Sequence, residues 1–448
     1  MLSSARRLSL PVVAVVIVTV ATGAALGVLA GTATELVLPA AVGVIVVALA
    51  IMDLTLIPML TLPATLALIR VGGALSVSDV VLAGATVVAL LLIRGRGGIA
   101  LQPLVWAGLA YLAAAIPTLV LNPYSANVIE WAHELFLVVG SMVVGFAIGR
   151  TGKARAGLLL YLIVCSAIGI VAAFQAVLSL AQTGAFQAVY LPELHKNTIG
   201  GMLAAALVIA FARPVWLRLT RRWGYFFVVL CAVGIAASQS RQGIVGAMAG
   251  VLFIALRPRP QSGRRAKWVW LAGIPIAIFV VMQVNAQLNS NNQFDSAHQR
   301  ITWYSDALRV WHQSPLFGVG LRWWYTTRFD VAFQPPNAEL EVLTSVGVVG
   351  LIGFLVMFGA AFWLLVRMNP VYGTVGAAVV LTRFAQAQFD LYWVAGQASL
   401  LWIVAGICYG VQALEQAQAT DATTAPPAAG IRPAPGRRAV RAKGTVAT

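Results

Sequence analysis

The chain has 448 residues, of which 60% are hydrophobic and 10% charged, against roughly 45–50% and about 25% in soluble domains. That composition excludes a water-soluble globular enzyme and points to membrane helices. Its net charge of +16 is the usual mark of a nucleic-acid binder, but the positions of the basic residues exclude that reading.

Apolar runs of about 16 to 25 residues recur along the chain, and roughly 20 are needed to span the hydrocarbon of a bilayer as a helix. In chain order the predicted spans are 10–30, 36–52, 54–70, 77–93, 103–121, 133–149, 157–181, 197–212, 224–239, 242–256, 268–283, 339–366, 371–389 and 394–413. The pair within 36–70 is interrupted by Asp53, Pro58 and Pro63, and the pair within 224–256 is short, so the expected number is twelve to fourteen. The ten-residue alternation of an outer-membrane barrel is not seen. The run after Arg6-Arg7 resembles a signal peptide but has no clear cleavage site, and it reads as an uncleaved first span. Cys165, Cys231 and Cys408 all lie inside apolar runs, with neither metal-ligand spacing nor a disulfide framework.

Alternating the spans from a cytoplasmic Arg6-Arg7 puts 22 of the 30 Lys and Arg on one side. The positive-inside rule then predicts both termini in the cytoplasm of a multi-pass inner-membrane protein. The basic excess serves topology and anionic lipid, not nucleic acid. Four regions follow: helical spans through 283, an outer loop at 284–338, further spans at 339–414, and a disordered basic tail from 415 to 448, too poor in apolar residues to build a core.

The outer loop has helical periodicity from Ser296 to Gln313, with Ile301, Tyr304, Leu308 and Trp311 on one face. Ser314-Pro315 ends it, and Trp323, Trp324 and Tyr325 suit the headgroup level. This predicts an amphipathic helix lying on the outer surface over the mouth of a cavity.

Polar groups near or within spans are costly and tend to mark function. Five sets occur, all at outer ends: His195-Lys196-Asn197; Arg241 within Ser238–Gly243; Arg300; Asn337, Glu339 and Glu341; and Arg383 with Asp390. Asn337 and Glu341 share a helix face with Thr344 and Ser345, while Glu339 lies on another. Arg383 is either a structural partner of Asp390 or part of a site wall. Arg309, Arg322 and Arg328 read as solvated or headgroup-facing, and His133 and His312 as structural. Arginines and amides gathered beside a lid, between apolar helices, suit a diphosphate on a lipid carrier, because guanidinium forks bind phosphate oxygens and stay charged. Neither an ATP loop nor a set of metal-ligand carboxylates is present, so no cofactor or metal is expected.

The stretch "R-I-T-W-Y-S-D-A-L-R-V-W-H-Q-S-P-L-F-G-V-G" from Arg300, the following "P-N-A-E-L-E-V-L-T-S-V-G-V-V-G-L", and the earlier "H-K-N-T-I-G-G-M-L" and "S-Q-S-R-Q-G" together resemble the O-antigen ligase and polymerase family of bacterial membrane glycosyltransferases. The likeness runs from about 190 to 400. It implies an all-α polytopic fold, a glycan donor on a polyprenyl diphosphate, a glycan or glycolipid acceptor, and diphosphate binding by Arg241 and Arg300. His195, Asn197, Arg383 and Asp390 are expected to line the same substrate site. Where the family usually has His-Asn, this chain has Pro336-Asn337, and Pro336 cannot serve as a base. Glu341 becomes the expected base, with Asn337 positioning the sugar or the carboxylate; Glu339, His195 and His298 are the other candidates. The rival function is a lipid-linked-sugar flippase, which would place polar groups deep in the spans and show related halves. A peptidoglycan-type polymerase is a third possibility, without its usual loop signatures.

Overall fold

The computed structural model describes residues 51–71, 75–94, 96–257, 296–331 and 333–424, with a few isolated positions besides. The predicted spans at 10–30 and 268–283, almost all of 36–52, and the tail beyond 424 lie outside the described residues.

The protein is an all-α bundle. Its helices are α1 (Leu56–Ala64), α2 (Val77–Leu92), α3 (Gln102–Ala114), α4 (Ile116–Leu121), α5 (Ser125–Leu135), α6 (Ser141–Arg150), α7 (Ala154–Thr183), α8 (Lys196–Ala212), α9 (Arg221–Ser238), α10 (Arg241–Leu256), α11 (Ser296–Trp311), α12 (Ala338–Arg367), α13 (Pro370–Ala387) and α14 (Gln397–Thr424). A π-turn at Phe136–Gly140 joins α5 to α6, and a two-residue antiparallel pair, β1 (Arg70–Val71) with β2 (Leu75–Ser76), leads into α2. Among the described residues, six helical stretches are long and apolar enough to cross a membrane, so the chain is a multi-pass membrane protein.

Two predicted elements differ. The run 54–70 is not one helix: the nine-residue α1 contains Pro63 and gives way to extended chain before Arg70. The run predicted from 133 starts eight residues earlier, at Ser125, and carries Asn127, Glu130 and Glu134 into the interior. A hydropathy window treats Asn127 and Glu130 as loop. They are tolerated because neighbouring segments satisfy them.

The core is formed where α6 lies along α14, α3 along α12, and α8 between α9, α10 and α13. Small residues set these approaches. Gly200 of α8 meets Ser240 and Gly243 at the start of α10, where a Cβ on Gly243 would lie 2.7 Å from the Gly200 carbonyl oxygen. Such contacts let helix backbones close on one another without hydrophobic drive from lipid.

The two ends of the bundle differ in chemistry. At one, Lys153 pairs with Asp53 at 2.7 Å and holds that carboxyl down to about 2. There too Arg150 caps the Ala413 carbonyl and Arg257 the Val366 carbonyl, each at 2.7 Å. At the other end Arg322 pairs with Glu130, Arg328 donates to Asn122 and Arg383 donates to Gln397.

Candidate functional site at the polar end of the bundle

The site begins with a broken helix. Within α12, Gly347 has φ 74° and ψ −169°, a region essentially restricted to glycine. The break frees backbone groups on both sides, and the loop after α11 takes them up. Val319 and Gly320 N–H donate to the Thr344 and Ser345 carbonyls at 3.0 and 2.9 Å, and Val348 and Val349 N–H donate to the Pro315 and Leu316 carbonyls at 2.9 and 3.2 Å. The Ser-Pro-Leu-Phe-Gly-Val-Gly segment is therefore stitched across the kink like an added strand. In a membrane protein irregular backbone at this position has to be satisfied by protein, and this loop does so. Gly347 thus serves as a break, where the sequence reading expected it only to admit a neighbouring helix.

The same loop is fixed from α4 and α5. Thr118 Oγ1 donates to the Ser345 carbonyl at 3.1 Å, Tyr124 Oη to the Leu321 carbonyl at 2.6 Å, and Leu321 N–H to Asn127 Oδ1 at 2.8 Å. Arg328 donates to Asn122 Oδ1 and the Val319 carbonyl. Arg322 pairs with Glu130 at 2.6 Å. These two arginines anchor the loop, correcting their expected solvated role; Arg309 does lie exposed, paired with Asp306. Trp323, expected at the headgroup level, is fully buried in a small core with Val310, Val319 and Val331.

Helix α11 is rotated relative to the expectation. Ala307 and Val310 are its buried positions, flanked by partly buried Trp303, Tyr304 and Trp311, whereas Ile301 and Leu308 are exposed. Val310 packs into the loop's small core with Val319, Trp323 and Val331. The rotation leaves partly buried Arg300 one turn before Tyr304, whose hydroxyl lies 3.5 Å from the Pro336 carbonyl oxygen.

Around Arg300 the predicted residues meet. The N-termini of α8, α10 and α12 are capped by His195, Ser240 and Asn337 respectively. Gln242 joins them, donating from Nε2 to the Asn197 carbonyl at 2.9 Å and to Asp390 Oδ2 at 2.7 Å. Arg241 and Arg300 both lie within electrostatic range of Lys196, and Arg300 and His195 within range of Asp390. Burial pushes the Asp390 carboxyl above its ordinary range and holds the His195 imidazole below its own. Lys196 and Arg241, in the first turns of α8 and α10, thus lie within electrostatic range of one another, with Arg300 in range of Lys196 and Asp390. Helix N-termini and guanidinium groups are the ordinary means of holding phosphate oxygens.

Arg383 is placed differently from either expectation. It is buried and donates to the Leu391 and Tyr392 carbonyls at 2.9 and 2.6 Å and to Gln397 Oε1 at 2.9 Å, so it braces the α13–α14 connection rather than bonding directly to Asp390. It remains within electrostatic range of Asp390 and of Glu341.

Asn337 and Glu341 do not act on a common point. Asn337 Oδ1 accepts from Leu340 N–H at 2.9 Å as the helix cap, and its amide donates to the Gln388 carbonyl at 3.1 Å. Glu341 sits a turn deeper, where Oε1 accepts from Gln334 Nε2 at 2.7 Å. Its other oxygen is buried without a hydrogen-bond partner, and the residue lines a small cavity with Tyr111, Glu130, Glu134 and Arg322. Glu339 instead lies on the Arg300 side, near Tyr304. Backbone and side chain of His195 are placed beside the cations; the side chain of His298 lies outside the described residues.

Residues 226–355 match the family model described as O-antigen ligase. The matched segment runs from within α9 into α12, taking in Arg241, Arg300, the stitched loop, Asn337 and Glu341. A search of curated proteins found no match. His195, Asn197, Arg383 and Asp390 lie outside the matched segment, and Gln242 within it bonds the Asn197 carbonyl and Asp390. Sequence reading missed Glu130, Glu134 and Tyr111. The one available signal was the Glu130/Glu134 pair at i, i+4 just before an apolar run. His133 is structural as expected, held between Asp79 at 3.0 Å and Glu130 at 3.3 Å.

Proposed function

We propose that the protein transfers a saccharide from a polyprenyl-diphosphate carrier to an acceptor hydroxyl on the outer face of the cytoplasmic membrane, in cell-envelope polysaccharide assembly. The observation that carries this reading is the convergence of Lys196, Arg241 and Arg300 at the capped N-termini of α8 and α10, beside the ligase-domain loop. The diphosphate sits among these cations and the prenyl chain lies along the apolar helices. The acceptor oxygen attacks the sugar carbon joined to the diphosphate, the C–O bond to phosphate breaks, and the prenyl diphosphate departs with the electron pair. The cations stabilise the charge that develops on it. The proton leaves the acceptor oxygen for Glu341, whose Oε2 is buried without a hydrogen-bond partner. Asn337 acts by position: it caps the helix that carries Glu341 and ties it to Gln388. The donor already stores the energy for transfer, and the residues named suffice without metal or cofactor. The polar end is the outer end, and the Lys153–Arg257 end, with both termini, faces the cytoplasm.

The test is incubation of the purified full chain in nanodiscs with lipid-linked oligosaccharide and an acceptor oligosaccharide. Release of prenyl diphosphate together with an extended glycan is the expected result. Movement of intact donor across the bilayer without release would replace this reading with the flippase.

A further inference from the structure

The corner between α8 and α9 lies at the Lys153–Arg257 end of the bundle, tied there by Trp216, whose Nε1 donates to the Val371 carbonyl at 3.2 Å. Residues 213–225 carry Arg213, Arg218, Arg221 and Arg222 and no acidic residue. Among the described residues none of the four pairs with a carboxylate, although Lys153 at the same end has Asp53. Like charges on a short corner repel one another, and a basic cluster without counter-charge in the protein attracts an anion from outside it.

The cations are also placed. Arg213 and Arg218 are the C-caps of α8 and of the short turn Val215–Leu217, with φ 43° and 51°, in the left-handed region that favours glycine or asparagine. Arg213 then crosses α9 at Gly224, where a Cβ would lie 2.4 Å from the Arg213 Cδ. Its guanidinium carbon comes to 5.5 Å from the centroid of the Tyr225 ring, and that of Arg221 to 5.4 Å. Arg221 also donates to the Tyr225 hydroxyl at 3.4 Å. Two guanidinium groups therefore share one aromatic ring. Exposed Trp223 and Phe226 stand beside them, edge to face with centroids 5.4 Å apart. Because α9 is long and apolar enough to cross a membrane, its first turn falls at headgroup depth, where Trp and Tyr are favoured.

We propose that this corner binds the phosphate of an anionic phospholipid. Arg213 and Arg221 take the phosphate oxygens, which match the guanidinium fork, while Trp223 and Phe226 lie against the glycerol backbone and the start of the acyl chains. A lipid fits better than free phosphate, because the aromatic pair offers apolar surface that a small ion would leave unused. The site is at the opposite end from the polar network and does not depend on the transferase reading.

Thermal unfolding of the full chain in neutral detergent, titrated with phosphatidylglycerol, phosphatidylcholine or inorganic phosphate, tests this. Phosphatidylglycerol raises the midpoint saturably and the other two do not. Arg213→Gln and Arg221→Gln each raise the half-saturating concentration about fivefold, and together about 30-fold. Gly224→Ala keeps the charge but displaces the Arg213 stem, so it weakens binding about fivefold as well; alanine is favoured over glycine within a helix, and the fold holds. Arg221 is exposed, so Arg221→Gln carries the test if Arg213→Gln does not fold. Arg437→Gln/Arg438→Gln, which removes two charges from the tail, leaves half-saturation unchanged. Equal shifts with phosphatidylcholine, or indifference of all three corner variants, overturn the proposal. Weakening by the tail variant as large as that by the corner variants reduces the effect to net charge and overturns it too. A shift by inorganic phosphate equal to that by phosphatidylglycerol overturns the phospholipid as the occupant.

Discussion

Replacing Gly347 by alanine is expected to undock the loop that organises the site. At φ 74° and ψ −169° a non-glycine residue is strained by about 1–3 kcal/mol. A Cβ there would also collide with the Leu316 and Phe317 backbone. If α12 straightens to relieve this, its own carbonyls and N–H groups pair within the helix again. The loop does not recover: Val319 and Gly320 N–H lose their acceptors, at about 0.5–1.5 kcal/mol each. The cost is therefore about 1–3 kcal/mol either way, as retained strain if the kink persists or as two lost loop bonds if α12 straightens. Thermal unfolding in detergent should report a lowered midpoint, and limited proteolysis should cut between Trp311 and Trp323, a segment protected in the parent. Gly359→Ala is the control on the same helix, since a Cβ there meets nothing within 4 Å. It should be neutral or stabilised by up to about 1 kcal/mol. If Gly347→Ala matched Gly359→Ala in midpoint and in proteolysis, the stitched loop would have no energetic role and the argument would fail.

Arg241→Ala and Arg300→Ala should each lower transfer by about 10²–10³-fold, with lysine restoring only part because an ammonium cannot reproduce a bidentate fork; near-normal turnover in both would remove these residues from diphosphate binding, and exposed Arg309→Ala should be mild. Glu341→Gln should bind donor normally and lose roughly 10²–10⁴-fold in rate, so that unchanged turnover at saturating donor would shift the base to Glu339, Asp390 or His195. Burial holds His195 below its ordinary 6.5, so the unfolded chain takes up the proton first as pH falls, and stability is full above 6.5 and declines below it. His195→Asn, which caps without titrating, should abolish that decline when melting is compared at about pH 7.5 and about pH 5.5. Single cysteines at Gln187 and Thr220, which lie at opposite ends of the bundle, should be labelled by an impermeant thiol reagent in intact cells at the first position and shielded at the second. The native cysteines are buried, and the reverse pattern would invert the orientation.

Much of this was legible in the sequence because membrane solvation is a one-dimensional constraint. A run of about 20 apolar residues satisfies its backbone alone, so helices such as 154–183 and 338–367 follow from composition. Their polar caps, His195, Ser240 and Asn337, are local signals as well. The ligase resemblance likewise rests on contiguous motifs. Other features depended on contacts between distant segments. The turn of α11 follows Val310, which the loop's Val319, Trp323 and Val331 bury, and the helix's own periodicity does not contain those neighbours. Gly347 reads as one more small residue until the Pro315–Gly320 backbone is seen filling the break. Asn337 and Glu341 share a helical face in projection, but a turn of depth sends one to a cap and the other to a separate cavity. Glu130 and Glu134 look like loop polarity before an apolar run; Arg322, arriving from nearly 200 residues away, makes burial of Glu130 affordable, as Tyr111 does for Glu134. Local chemistry decided which segments are helices and which ends are polar. The tertiary structure decided which polar residues meet, because a buried charge is placed by its partner and the partner is elsewhere in the chain.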